Sequence, residues 1–303
     1  MFERAHSAIL GDMDRRSELS EFLRSRRARR QPEDLGFTPF GTRRRVPGLR
    51  REELAQAAAL SVDYYVRLEQ GRLRNPSAEV VDAVATALAL DPTERRYLHN
   101  LARPVTKAEP AGPPASRWTV QALLDNTQAP AAIYSRHGDV LAWNPLAAAL
   151  ITDFGALPPH ERNIARLVFL DAEVASRFAE WGDKARSLVS QLRMETSRTP
   201  DDERLATLIG ELTMKSPEFA RLWASHQVWE KTRGEHRYRH PIVGEFTLRY
   251  EAFHPPDDPD VALVVQVAEP GTPDEEALRL LASWTASSGR EAGRHDRVNA
   301  QLR

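Results

Sequence analysis

The chain has 303 residues, long for one domain and ample for two, and its 41% apolar and 28% charged residues are ordinary for a globular protein with a real core. A formal charge of −1 gives no bulk attraction to nucleic acid or anionic lipid, and the lack of cysteine excludes a disulfide scaffold, cysteine-ligated zinc or iron–sulfur and a thiol nucleophile. No apolar run approaches the roughly 18–20 residues of a membrane span, and the N-terminus lacks the apolar core of a signal peptide, so a cytoplasmic, nucleoid-associated protein without membrane contact is expected.

The charge is unevenly placed. Arg15 to Asn75 holds 15 arginines, no lysine and 8 acids, whereas everything after Asn75 carries 26 basic and 32 acidic side chains. A basic module on an acidic body suits a polyanion-binding protein, although a charge run is more often just a solvated face. After an N-terminal extension, residues 1–16, the first module spans 17–103 and reads as five helices. Leu19, Phe22 and Leu23 put an apolar stripe on a helix that ends in RSRRARR, where cations suit the C-terminal dipole. A Gly-, Pro- and Arg-rich stretch precedes a short helix over Leu49 to Ala58. Ser61 caps the next helix, which turns Tyr65 and Leu68 inward and stops at Gly71. Ser77 caps a fourth, and Asp91-Pro92-Thr93-Glu94 opens a fifth with cap, proline and acid each in place.

Two short helices from Arg50 to Gln70 around a tight turn are what a helix-turn-helix requires. The second would lie in the major groove of double-stranded DNA, with Val62, Asp63, Tyr64 and Arg67 facing base edges and Val66 also outward. Asp63 could accept from a cytosine amino group, but an acid at the second helical position more often complements the helix dipole. Arg43, Arg44, Arg45, Arg50 and Arg51 before or within the first helix, and Arg72 and Arg74 after the second, are placed to grip phosphates. The segment from Arg43 to Leu90, with Leu54-Ala55, the Leu60-Ser61 turn, Glu69 and Gly71 at matching spacing, resembles the XRE (Cro/repressor-like) family of DNA-binding domains. Ala59 departs from the glycine usual at that turn and predicts some backbone strain.

Residues 104–117, with four prolines between Arg103 and Arg117, read as a semi-rigid linker. The second module, 118–284, opens with a helix over Thr119 to Asn126 and two short strands, AAIYS and VLAWN, joined through a His-Gly turn. A helix over Leu146 to Ile151 follows. A long amphipathic helix from Asp171 to Thr196 comes next, then helices over Asp201 to Leu212 and Pro217 to Trp223. EFTLRYEAF and VALVVQVA read as strands, and residues 285–303 as a flexible tail. The expected architecture is an antiparallel sheet with helices on one face, an α+β fold. The strings IYSRHGDVLAWNPLA and HPIVGEFTLRYEAF resemble the ligand-binding domain of MmyB-like regulators. That resemblance implies a PAS-like fold and a bacterial regulator whose second domain takes a fatty-acid-like or other apolar effector.

A pocket between sheet and helices would use Tyr134, Trp143, Phe169, Phe178, Trp181, Ala185, Phe246, Leu248, Arg249 and Tyr250, although most such aromatics are ordinary core. A carboxylate head group would have Arg249, Arg239 and Tyr134 as candidate partners, with nothing in the spacing to choose. No nucleophile elbow, phosphate loop or metalloprotease His-Glu pair is present, so no enzyme and no cofactor are expected. His236 and His240 could share a helical face, with His226 or His254 joining them, but HRYRH leads into Pro241, and no metal is expected. The reading is a homodimeric DNA-binding regulator. The alternatives are a second domain that only dimerises, or an enzyme built on it.

Overall fold

The computed structural model describes residues 2–37, 48–73, 75–103, 117–227, 233–255, 258 and 260–301, with backbone alone at 2–14, 117–120, 233 and 288–301. The chain divides into two compact units, Met1–Ala108 with Val189–Glu230, and Glu109–Leu188 with Lys231–Arg303. Among the described residues no helix is long and apolar enough to cross a membrane.

The first unit begins with α1 (Phe2–Arg29), continuous through the stretch read as a separate extension. After a short 3-10 turn come α2 (Arg51–Ala57), α3 (Val62–Glu69), α4 (Ala78–Ala87) and α5 (Pro92–Ala102). The expected caps are formed. Ser61 accepts from the Tyr64 amide, Ser77 from Val80, and Asp91 from Thr93 and Glu94. Leu19, Phe22, Leu23, Leu54, Ala55, Tyr65, Leu68, Val81, Val84, Tyr97 and Leu98 are buried in one core. Ala59 takes φ 55, so the strained turn residue anticipated from the sequence is present. Gly71 ends α3 at φ 63, and a Cβ there would meet the Arg16 Cβ at 2.8 Å. Only glycine meets both demands.

Three predicted boundaries move. The helix expected over Asp171 to Thr196 is two, α9 (Ala172–Arg177) and α10 (Trp181–Arg198). Between them Phe178 bridges Tyr238 and the Ala179 amide donates to the Arg237 carbonyl, so a strand takes bonds that a helix would have kept. The C-terminal half of α10, with α11 (Glu203–Lys215) and α12 (Pro217–Trp223), belongs to the first unit and not to the sheet. The residues read as a flexible tail continue α13 (Pro273–Gln301) as helix.

The second unit holds α6 (Arg117–Asp125), β1 (Ala131–Ser135), β2 (Val140–Trp143), α7 (Pro145–Leu150), α8 (Ile164–Leu170), α9, the start of α10, β3 (Arg233–His240), β4 (Gly244–Phe253), β5 (Val261–Val267) and α13. The five strands form one antiparallel sheet in the order β2-β1-β5-β4-β3. Its inner face carries Tyr134, Trp143, Tyr238, Phe246, Leu248 and Tyr250, packed with Leu150, Phe154, Leu167, Val168, Val174, Phe178 and Leu281 from helices and loops, or part-buried beside them. The opposite face is apolar under α6, at Ala131, Ile133 and Leu263, and charged on β3 and β4. Buried Asn144 ties the first hairpin to α7. Its Oδ1 accepts from Ala131 and Ala147, and its Nδ2 donates to Thr127 and Ala129.

Candidate DNA-binding face and candidate ligand site

On α3 the alternation of core and surface residues sorts the side chains. Tyr65, Leu68 and Glu69 are covered, Val62 is 43% exposed, Asp63 and Arg67 are exposed, and Tyr64 and Val66 are half-buried. The four residues expected at base edges therefore share the outer side of one helix, opposite its core. Arg50 and Arg72 are exposed on either flank, as expected for phosphate contacts. Arg43, Arg44, Arg45 and Arg74 lie outside the described residues.

Arg51, expected at a phosphate, donates from Nε and Nη2 to Glu69 Oε1 at 2.9 and 2.7 Å while its side chain stays 41% exposed. Arg27 donates to the same carboxylate from α1, at 3.0 and 3.3 Å, and to the Leu49 carbonyl at 2.7 Å. Glu69 is wholly covered. Burial alone would raise its carboxyl, but the hydrogen bonds from Arg27 and Arg51 outweigh that and hold it below the usual carboxylate range. One acid thus locks α3 to α1 and α2. Its spacing was visible in the sequence, but its two arginine partners, 42 and 18 positions away, were not.

Of a second polar cluster in the first unit, the sequence singled out only His226, and with other partners. Arg193, only 1% exposed, donates to Glu18 and to the Trp223 carbonyl, and its guanidinium lies 4.3 Å from the Trp223 ring centroid. Tyr97 donates to the same Glu18 oxygen at 2.5 Å, and His226 faces both Glu18 (3.1 Å) and Glu21 (2.6 Å). Burial would raise the Glu18 carboxyl, but His226, Arg193 and Tyr97 together bring it down to about 2. Glu18, Glu21 and His226 have the spacing of metal ligands. However, the Glu18 oxygen is already shared by a cation and a phenol, which leaves little lone-pair capacity for an ion. These contacts draw the end of α10 and α12 into the first unit's fold.

In the second unit the proposed pocket residues separate into two groups. Phe178, Phe246, Leu248 and Ala185 are covered, with Ala185 at 0% exposure, and are core. Tyr134, Trp143, Phe169, Trp181 and Tyr250 sit against that core yet keep uncovered surface. Arg249, expected as a head-group partner, pairs with Glu269 at 2.9 Å and alternates with the inner-face residues of β4, yet it lines the same cleft as His236 and Tyr250. Arg239 pairs with Glu245 at 3.0 Å. Arg162 lies over the Trp143 ring at 5.3 Å, and a second basic side chain on the inner face is Lys184, from the first turn of α10, which no sequence motif pointed to. Its Nζ lies 3.4 Å from His236 Nε2 and 5.4 Å from the Phe178 ring centroid. His236 in turn stacks on Tyr250 at 4.7 Å. A cleft of about 480 Å³ opens beside them, lined by Phe178, Asp183, Gly234, His236, Tyr250 and Glu251 among others. Gly234 permits this, since a Cβ there would press on the Tyr250 ring at 3.2 Å. His236 and His240 stand four apart on strand β3, not on a helix, and have separate partners. His240 Nε2 is 3.0 Å from the Ala149 carbonyl, while His254 Nδ1 is 3.0 Å from Val261 O.

With this geometry in hand, comparison with known families is direct. None of the curated proteins matches the chain. Residues 18–98 match a helix-turn-helix domain, which covers α2 and α3 and the clamp around Glu69. A DNA-binding module followed by a ligand-binding module is the organisation of a transcription regulator. Residues 117–281, more than half of the sequence, match the MmyB-like transcription regulator ligand binding domain, and the chain belongs to that family.

Proposed function

We propose that this protein is a sequence-specific DNA-binding transcription regulator of the XRE type. In this reading it works as a cytoplasmic homodimer on double-stranded operator DNA and senses an apolar, fatty-acid-like small molecule in a PAS-like second unit. The observation that carries the DNA part is the outer side of α3, where Val62, Asp63, Tyr64 and Arg67 stand opposite a core locked by Glu69. A helix held that firmly can present side chains to base edges in one register. The strand order β2-β1-β5-β4-β3 supports the PAS-like description. The aromatic inner face with uncovered Tyr134, Trp143, Phe169, Trp181 and Tyr250 supports an apolar ligand. Exposed Leu280 and Trp284, four apart on α13, support dimerisation through this unit.

Selection of bound sequences from random duplex DNA, with wild type and Arg67→Ala, tests the DNA reading. One recurring half-site is expected for wild type, and relaxed choice at one position for the variant. Binding that shows no sequence preference would refute it. Native mass spectrometry of the protein as purified from cells tests the rest. A dimer carrying a co-purified apolar molecule is the expected result. A dimer whose melting temperature and operator affinity ignore apolar extracts would favour a second unit that only dimerises.

A further inference from the structure

We infer that DNA reading by the first unit depends on a segment outside its helix-turn-helix, residues 189–226, and that Arg193 is a positioning residue for α3. This rests on the reading that α3 faces base edges, and it names what fixes that helix from the far side of α1. Residues 189–226 fall inside the span that matches a ligand-binding domain, yet they pack with the first unit. Met194 is buried in the same core as Leu19, Phe22 and Tyr65.

The element between the segment and α3 is α1. At 3.6 residues per turn, Arg16, Leu23 and Arg27 fall along one side of it, and Glu18 and Glu21 along the opposite side. The first side carries α3. Arg27 holds Glu69 there, and a Cβ on Gly71 would meet the Arg16 Cα at 3.0 Å. The second side is held by the segment. Arg193 of α10 donates to Glu18, and His226, just past α12, faces Glu21 at 2.6 Å. Arg26, at the edge of that side, donates to the His226 carbonyl at 2.9 Å. Helix α5 closes the same grip, with Tyr97 donating to Glu18 at 2.5 Å and Asn100 to Ser197 at 3.2 Å.

One stretch of α1, Arg16 to Arg27, is therefore pressed between α3 and the segment. Glu18 stands two residues from the contact with Gly71, so a displacement at one reaches the other through close-packed atoms. Arg193 is 1% exposed and touches no phosphate, which leaves α1 as its route to DNA. Removing its charge strands the Glu18 carboxylate, and α1 must shift to re-solvate it. Recognition tolerates only about 0.5 Å of such movement.

The test uses the full-length protein and two duplexes, one selected by wild type from random DNA and one of scrambled sequence with the same composition. Fluorescence anisotropy gives both affinities at a temperature where each variant is folded, and their ratio is the readout. Loss of folded protein lowers both affinities alike and leaves the ratio unmoved. Arg193→Met should reduce the ratio by about ten-fold, the scale of one base contact. The slope of log affinity against log salt should stay as in wild type, because no phosphate contact is lost. Glu21→Ala, at a carboxylate 49% exposed, should lower the ratio in the same direction by less. Lys215→Ala, on the exposed side of α11, should leave it unchanged. A ratio that stays at the wild-type value in both Arg193→Met and Glu21→Ala would overturn the inference and leave the DNA reading intact. Should Arg193→Met fail to fold, Glu21→Ala decides alone. A wild type that shows no preference between the duplexes would remove both readings together.

Discussion

Replacing Glu69 with Gln should expose how much of the first unit depends on one carboxylate. The substitution keeps the side chain's shape and removes the charge that faces Arg27 and Arg51. Breaking a buried ion pair by removing one partner typically costs about 3–5 kcal/mol, because the other charge stays desolvated. Arg27 is that case, at 12% exposure, whereas Arg51 is 41% exposed and regains water. The lower end, about 3 kcal/mol, is therefore expected. For a protein of this size it corresponds to a fall in Tm of roughly 6–12 °C. Thermal and urea unfolding of the full chain measure it. The folded carboxyl lies below its ordinary 4.5, so its stabilisation is full above that pH and fades as pH falls through the folded value. The gap between wild type and variant should close on the same course. Adding Arg27→Met to Glu69→Gln should recover part of the loss, since the stranded charge goes too. A Tm within about 2 °C of wild type at neutral pH, or a gap that widens in acid, would refute the clamp.

Four further outcomes follow from the same geometry. Arg67→Ala should cost about 1–3 kcal/mol of operator affinity and relax sequence choice, read by fluorescence anisotropy on matched and mismatched duplexes. Arg72→Ala should weaken all duplexes alike and reduce the slope of log affinity against log salt by about one. Lys184→Met should stabilise the ligand-free protein most below pH 8, where the buried ammonium is charged in both folded and unfolded chains. The advantage should vanish as pH approaches the ordinary lysine value of 10.5, because stability that rises with pH in this window belongs to the wild type alone. Asn144→Ala removes two acceptor and two donor bonds of a buried amide and should cost about 3 kcal/mol by urea denaturation.

The helix-turn-helix was legible because its signals are local. Ser61, Gly71, Ser77 and the Asp91-Pro92-Glu94 start each act within four residues, and each does so in the structure. Strand β3 was not legible as a strand. In RGEHRYRH the inner positions are Gly234, His236, Tyr238 and His240, so the period of two is present but hardly reads as hydrophobic. That same strand broke the predicted long helix at Phe178, a tertiary contact that helical periodicity cannot anticipate. Alternation along β4 also bears on Arg249. Its neighbours Leu248 and Tyr250 belong to the inner face, and a one-residue offset in a strand sends the side chain to the other side. Lys184 escaped notice because an isolated lysine in the sequence WGDKARS carries no signal until the fold sets it beside His236 and Phe178.

The assignment of α10 bears on how a ligand could be felt at the DNA. Family matching ends one domain before α6 and starts the other there, as if the proline-rich stretch alone joined sensor to reader. The packing divides the chain elsewhere, between Leu188 and Val189, inside an uninterrupted helix. Lys184 stands on one side of that division and Arg193 on the other, nine residues apart. Arg193 is among the most deeply buried side chains of the first unit, bound to Glu18 of α1 and the carbonyl of Trp223. A ligand alters operator affinity only through a difference in its affinity for two states. The chain passes between the two units through α10 as well as through the prolines that punctuate the sequence.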